Sequence, residues 1–175
     1  MTETTPYDAD RARFTRQALA RLVLCDHAVD VADGAAGLVA TENDPDTGPG
    51  GRVSQAFQLI ELAERALVSA VIYERQRGSS WAEIAQYLGM SPTETEDRFA
   101  ANLHSWNAAF DVPYRLDETG RKRIPQLPTA AYDPSWACTQ LDRWAGNRLI
   151  LVNDEHPVSS GLVMASEDEA PPVTP

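Results

Sequence analysis

The chain has 175 residues, 43% of them hydrophobic, which is enough for one hydrophobic core. Its net charge of −11, from 26 acidic and 15 basic residues, opposes nucleic-acid binding, because affinity for DNA rests largely on neutralised phosphates. No run approaches the roughly 20 apolar residues of a membrane span, and the acidic residues 1–10 do not fit a secretory signal, so we expect a cytoplasmic protein without a membrane partner.

Two long helices are predicted in the first part of the chain, over residues 5–41 and 52–77, with a loop rich in glycine and proline between them. Thr5, Pro6 and Asp8 provide a capping-box start for the first helix. That helix carries a seam of mostly small residues: Ala18, Leu22, Cys25, Val29, Ala32, Ala36 and Val39.

The second helix carries a matching seam of small and large residues: Ala56, Ile60, Ala63, Leu67 and Ala70. Its apolar face is wider than a narrow stripe, which indicates contact with more than one neighbour. We expect the two helices to form an antiparallel hairpin in which the two seams face each other. The alternative is that the seams meet across a homodimer.

Residues 80–110 predict a helix-turn-helix. Two capping boxes flank one glycine, with Ser80 and Glu83 before Gly89 and with Ser91 and Glu94 after it. Glycine tolerates the left-handed backbone that ends a helix in a tight turn. Two helices joined by so short a turn cross steeply, which is the geometry that presents a second helix to the major groove of DNA.

Within residues 78–107 an acidic residue is followed by Ile-Ala, Leu-Gly, a short apolar residue, Ser and then Arg with an apolar residue. These positions are Glu83, Ile84, Ala85, Leu88, Gly89, Met90, Ser91, Arg98 and Phe99. The pattern resembles the helix-turn-helix in the fourth region of bacterial sigma factors and in small actinobacterial regulators. The resemblance implies a dimeric transcription regulator whose second helix contacts duplex DNA through Ser91, Thr93, Glu94 and Arg98.

The outward positions of the second helix depart from that pattern. Where such families often carry Arg, Gln, Lys or His, this chain has Pro92, Thr93, Glu96 and Asp97. Glu and Asp can accept a hydrogen bond from cytosine, but they repel the neighbouring phosphates. The alternative function is therefore an adaptor that uses a degenerate helix-turn-helix to contact a protein partner of basic surface.

A proline-rich basic segment, residues 111–133, follows the helix-turn-helix. It holds the densest basic cluster of the chain: Arg115, Arg121, Lys122 and Arg123. A short β-hairpin here would act as a wing whose basic residues contact DNA phosphates. The neighbouring prolines favour the other interpretation, an extended surface loop whose arginines pair with nearby acids.

A last helix is predicted over residues 134–149, with Asp133 as its cap, burying Trp136, Leu141 and Trp144. Residues 151–175 are polar and acidic, which predicts a disordered tail. The expected fold is therefore all-α: one helical domain over residues 1–150 with a long helical hairpin, a helix-turn-helix, a short basic hairpin if one forms, and a C-terminal helix.

The sequence offers little for catalysis. Two cysteines are too few for a disulfide framework, and no zinc-ligand spacing, phosphate loop or nucleophile elbow is present. We therefore expect no catalytic residue, no metal and no cofactor. A small-molecule sensor is a further interpretation, with a pocket lined by Trp81, Trp106, Trp136 or Trp144, although core packing is the usual place for such side chains.

Overall fold

The computed structural model describes residues 5–42, 44–148 and 155–166, and within these ranges the fold is mostly α-helical, as predicted. The helices are α1 (Pro6–Arg11), α2 (Arg16–Val39), α3 (Gly51–Gln76), α4 (Trp81–Leu88), α5 (Pro92–Asp111), α6 (Thr129–Tyr132) and α7 (Pro134–Arg148). The strands β1 (Tyr114–Leu116) and β2 (Arg123–Pro125) pair antiparallel, and short 3₁₀ helices lie at Asp44–Asp46 and Ser159–Gly161. None of the described helices is long and apolar enough to cross a membrane.

The single helix predicted over residues 5–41 is wrong, because a new helix starts at Thr15. The Thr15 hydroxyl accepts a hydrogen bond from the backbone N–H of Ala18 (3.1 Å), which is the N-cap arrangement for α2. Phe14, just before this cap, is buried in the core and forms an isolated β-bridge with Met164. The helix is therefore interrupted between Arg11 and Arg16.

The predicted antiparallel hairpin of two long helices is present as α2 and α3. Near its base, Nδ1 of His27 lies 2.7 Å from Oγ of Ser69. Farther out, a Cβ atom added to Gly34 would lie 3.1 Å from Cδ1 of Leu62, so the absence of a side chain at Gly34 permits a close approach of the two helices.

The predicted pairing of the two seams is wrong on α3. Leu62 and Ser69 face α2, whereas Ile60 lies about 160° around the helix from Leu62. The Ile60 side chain is accordingly 57% exposed. Leu67 packs instead in a smaller cluster with residues of α4 and α5. The α2-facing side of α3 is thus not the side that carries the predicted seam.

On α2 the first part of the predicted seam faces the later helices, whereas Val39 at its end is 79% exposed. Ala18 and Leu22 are buried in the main core together with Trp106 of α5, Ala130 of α6 and Leu141 of α7. Both α6 and α7 pack on α2 along this side. This first part of the seam therefore packs against α6 and α7 and does not form the contact with α3.

The last helix, α7, begins where the sequence predicts. Oδ1 of Asp133 accepts a hydrogen bond from the Trp136 backbone N–H (3.3 Å), and Leu141 is buried. Burial of Trp136 was also expected, but its side chain is 51% exposed. Trp136 and Leu141 are about 140° apart around the helix, so only one of them can face the core.

The prediction of a disordered tail is wrong for residues 155–166. The buried carboxylate of Asp142 accepts hydrogen bonds from the backbone N–H groups of Val158 (2.7 Å) and Ser159 (3.0 Å) and from the Ser159 hydroxyl (2.6 Å). These bonds and the contacts of Leu162 with the main core hold the segment in place. Residues 151–154 and 167–175 of the predicted tail lie outside the described residues.

Candidate nucleic-acid interface

The first helix of the helix-turn-helix, α4, begins and ends as predicted. The Ser80 N–H donates to the Glu83 carboxylate (2.7 Å), and the Ser80 hydroxyl accepts from the Glu83 N–H (3.2 Å), which completes the capping box. At the other end Gly89 has a φ of 65°, and its N–H donates to the carbonyl of Ala85. The predicted break between the two helices at Gly89–Ser91 is confirmed.

The second helix, α5, starts from an equally complete cap. The Ser91 hydroxyl accepts from the Glu94 N–H (3.2 Å), and the Ser91 N–H and hydroxyl donate to the Glu94 carboxylate at 2.9 and 2.6 Å. The hydrogen bonds from the Ser91 side chain and backbone lower the pKa of Glu94, so this carboxylate is charged at neutral pH. Ser91 and Glu94, both predicted as DNA contacts, are thus engaged in ordering the helix start.

A buried layer fixes α5 to the rest of the fold. Thr95 is fully buried, and its hydroxyl donates to the carbonyl of Ser91 (2.9 Å). One turn farther on, Phe99 is 2% exposed and packs with Val71 of α3 and Ile84 of α4. The helix-turn-helix therefore sits on the C-terminal half of α3 through its own small hydrophobic cluster.

The outer face of α5 near its start is open and mostly acidic. Thr93, Glu96, Asp97 and Arg98 are all exposed. Neither Glu96 nor Asp97 forms an ion pair within the described part of the chain. The Arg98 guanidinium lies 5.1 Å from the centre of the Phe99 ring, so it stays beside its own helix.

The basic segment forms a β-hairpin, and the favoured expectation of an extended loop is wrong. The Asp117 N–H donates to the carbonyl of Lys122 (2.8 Å), while Oδ1 of Asp117 accepts from the N–H groups of Thr119 and Arg121, both at 3.1 Å. Gly120 takes a φ of 70° within the turn. The Asp117 side chain thus supplies the turn that brings the two short strands together.

The basic side chains of this hairpin are available to a partner. Arg115, Arg121, Lys122 and Arg123 are all exposed, and none of them forms an ion pair with an acid of the described ranges. The Arg123 guanidinium lies 4.5 Å from the centre of the Tyr114 ring across the hairpin. The expected ion pairs of these arginines with nearby acids are therefore not found within the described part of the chain.

The two parts of the predicted interface lie toward opposite ends of α5. Arg98 lies near the start of this 20-residue helix, and the hairpin follows its end at Asp111. At 1.5 Å per residue the helix separates them by about 20 Å. The fold thus does not set the basic hairpin beside the acidic start of α5.

An exposed aromatic residue of α4 was not identified from the sequence. Tyr87 is 91% exposed and borders an open groove of about 430 Å³ between α3 and α4. The exposure of Tyr87 could have been predicted from the helical periodicity of α4. Tyr87 lies about 110° around the helix from the centre of the apolar face formed by Ile84, Ala85 and Leu88. This face is the one that packs on α3 and α5.

No protein-family model, curated protein or solved structure matches the chain.

Proposed function

We propose that this protein is a homodimeric helix-turn-helix transcription regulator that binds duplex DNA through the first two turns of α5. The proposal is carried by the exposed outer face of α5. The Ser91 cap fixes the start of this helix, and the buried Phe99 fixes its inner face against α3 and α4. A rigid second helix held in this way fits the major groove, which is about 12 Å wide.

The acidic residues have separate roles in this proposal. Glu94 accepts hydrogen bonds in the N-terminal cap of α5, and its negative charge there stabilises the helix by interacting with the positive end of the helix dipole. Glu96 and Asp97 remain exposed, and each can accept a hydrogen bond from the amino group of cytosine in the major groove. They contribute selectivity for cytosine and reduce affinity, because each lies close to phosphates of the same groove.

In this proposal the affinity comes from two groups of exposed basic residues. Arg98 lies at the edge of the proposed groove contact, and the hairpin presents Arg115, Arg121, Lys122 and Arg123 about 20 Å farther along α5. That distance is shorter than one turn of B-form DNA, about 34 Å, so the proposal places both regions on one duplex. Each basic residue that neutralises a phosphate releases counterions and makes binding depend on salt.

An apolar strip on α3 supports the homodimer. Val53, Phe57 and Ile60 are 74, 60 and 57% exposed and lie within about 60° of one another around the helix. On the same face, nearer the C-terminus, Leu67 and Val71 are covered by α4 and α5. An exposed apolar strip that continues a buried face indicates an interface. In the proposed dimer the strips of two copies pack against each other in a two-fold symmetric contact.

Selection of bound sequences from a random duplex library by the full chain, at low ionic strength, tests the proposal. We expect enrichment of a site with two half-sites, and fluorescence anisotropy should show tighter binding of that site than of a scrambled duplex. Replacing Glu96 and Asp97 by glutamine and asparagine should tighten binding to the scrambled duplex, because repulsion of phosphates is removed.

The matched control for that variant replaces Glu42 and Glu61 by glutamine, since both are exposed acids outside the helix-turn-helix and neither forms an ion pair within the described residues. This control changes the net charge equally and should leave DNA binding nearly unchanged. The proposal fails if no sequence is enriched and neither the wild type nor the Glu96–Asp97 variant binds duplex DNA at low salt.

An adaptor function is the second candidate, because the exposed Glu96 and Asp97 lie on the same unit as the exposed Tyr87 and its groove. Such a surface fits a basic protein partner that inserts an apolar side chain. The Glu96–Asp97 variant distinguishes the two candidate functions, because its effect on binding has the opposite direction in each. It weakens capture of a basic partner from a bacterial lysate, whereas it tightens binding to non-specific DNA.

A further inference from the structure

The basic cluster of the β-hairpin has no acidic partner within the described part of the chain. Its members are Arg115, Arg121, Lys122 and Arg123, all of them exposed and none in an ion pair with a described acid. The nearest acid in sequence, Asp117, is used by the turn, where its carboxylate accepts the N–H groups of Thr119 and Arg121. Four unpaired positive charges on one short hairpin attract an acidic segment that can reach them.

The base of this hairpin lies beside α1 and the start of α2. Connections of two and three residues join the strands to α5 and α6. Before the hairpin, the ring of Phe110 lies 4.6 Å from the guanidinium of Arg16. After it, the ring of Tyr132 stacks on Tyr7 at 5.0 Å, and the Tyr132 carbonyl accepts from Arg11 (3.0 Å). Both ends of the hairpin are thus held against the same region.

The charge of Arg123 also acts on α1. Burial raises the pKa of Asp8, but hydrogen bonds from Thr5 and the positive charges of Arg11 and Arg123 outweigh this effect and lower the pKa overall. Charges separated by more than a Debye length, about 10 Å, are largely screened, so Arg123 lies near Asp8. Asp8 is itself paired with Arg11, which leaves Arg123 open to a further acid.

The last described residues of the chain lead toward the same region. The Ala165 N–H donates to the carbonyl of Arg13 (3.0 Å), and Phe14 and Met164 form an antiparallel bridge. Because the pairing is antiparallel, the chain at Ala165 runs from Arg13 toward the C-terminal end of α1. Ala165 lines one open groove together with Asp8 of that helix.

A run of three acids follows within reach of the hairpin. Residues 167–169, which lie outside the described residues, are Glu, Asp and Glu, and residues 170–175 carry no charge. An extended chain advances about 3.3 Å per residue, so these acids lie up to roughly 7–13 Å beyond Ala165. From Arg13 back to Asp8 the helical chain spans only about 8 Å, and Arg123 lies near Asp8.

We propose that the acidic segment, residues 167–169, binds the basic cluster of the hairpin of the same chain. The site of departure at Ala165 and the opposite charges select this occupant. The regulatory consequence rests on the proposed function: the acidic segment and the phosphates of DNA compete for the same basic residues, so the segment weakens DNA binding. The docking itself does not rest on that function and is measured without DNA.

The backbone amide signals of the hairpin test the docking. The ¹⁵N-labelled full chain is compared by two-dimensional NMR with the variant Glu167→Gln, Asp168→Asn, Glu169→Gln at low ionic strength. We expect the hairpin signals to differ between the two proteins. At high salt, which screens exposed charges, the hairpin signals of the two proteins should coincide.

The matched control replaces Glu42, Glu61 and Glu155 by glutamine. All three are exposed, and none forms an ion pair within the described ranges. This control changes the net charge by the same amount, and it should leave the hairpin signals where they are in the wild type.

Fluorescence anisotropy on one duplex measures the competition. Neutralising residues 167–169 should tighten DNA binding about five- to tenfold at low salt, the effect of three exposed ion pairs, and the control should change it less than about twofold. In a chain with Arg121, Lys122 and Arg123 replaced by alanine, neutralising the acidic segment should have little effect, because its binding site is gone.

Three NMR outcomes would overturn the docking. The first is equal hairpin signals in the wild type and the acidic-segment variant at low ionic strength, and the second is an equal shift in the control. The third is a difference that vanishes on dilution, which would show that the segment of another copy occupies the hairpin. If no protein binds DNA, the proposed function and the competition fail together, while the NMR comparison still decides the docking.

Discussion

Replacing Phe99 by alanine should remove the main contact between the helix-turn-helix and α3. Phe99 is 2% exposed and packs with Val71 and Ile84, which belong to two different helices. Truncating a buried phenylalanine to alanine lowers the free energy of unfolding by about 3–5 kcal/mol, because apolar contacts are lost and a cavity remains. For a chain of this size the melting temperature should fall by roughly 6–20 °C.

Phe57→Ala is the matched control, since it makes the same chemical change at a side chain that is 60% exposed. A surface substitution of this kind changes the free energy of unfolding by about 0.5 kcal/mol or less. Urea unfolding followed by circular dichroism, at a protein concentration low enough to exclude dimers, gives both values. A cost below about 1 kcal/mol for Phe99→Ala, or equal costs for the two variants, would refute the assignment of Phe99 as the anchor.

Three further predictions follow from the described contacts. Replacing Phe57 and Ile60 by glutamate should convert the proposed dimer to a monomer, as measured by sedimentation equilibrium. An unchanged molar mass would show that this apolar strip is not the dimer interface. Gly89→Ala should lower the free energy of unfolding, measured by urea denaturation, by about 1–2 kcal/mol, because a φ of 65° strains a residue with a side chain. An unchanged free energy of unfolding would contradict the left-handed conformation of Gly89. Burial raises the pKa of Asp142, but hydrogen bonds from Ser159 outweigh this effect and lower the pKa overall. The charged carboxylate therefore stabilises the folded state above about pH 4, and this stabilisation is lost as the pH falls through the lowered pKa. Asp142→Asn should therefore speed amide hydrogen exchange in residues 155–166 at neutral pH, and unchanged exchange would show that Asp142 does not hold the segment.

The helix-turn-helix could be predicted because its determinants are local. The two capping boxes, Ser80 with Glu83 and Ser91 with Glu94, each need a partner only three residues away. Gly89 needs only the freedom to adopt a positive φ. Each of these features is complete within one turn of chain, so the pattern of residues determines it.

The partners of the apolar faces could not be predicted, because they depend on contacts distant in sequence. The helix α3 is apolar on two sides, and nothing local shows that Leu62 faces α2 while Ile60 stays exposed. In the same way, residues 155–166 are polar enough to predict disorder, but the carboxylate of Asp142 supplies the hydrogen bonds that order them.

The candidate interface was predictable in composition but not in arrangement. The acidic outer face of α5 follows from its sequence, whereas the hairpin depends on the turn made by Asp117 within a proline-rich segment. The distance between the two parts follows from the length of α5, 20 residues, once that helix is known to be continuous to Asp111.

The salt dependence of DNA binding shows whether the basic hairpin contacts phosphates. Fluorescence anisotropy on one duplex compares the wild type with a variant in which Arg121, Lys122 and Arg123 are alanine. A control variant replaces Arg13, Arg143 and Arg148, which are also exposed and carry the same total charge. If the hairpin contacts phosphates, the slope of log K against log salt should fall by about three units in the hairpin variant and change little in the control. Equal slopes in the two variants, or no binding by the wild type at low salt, would contradict the proposed DNA interface.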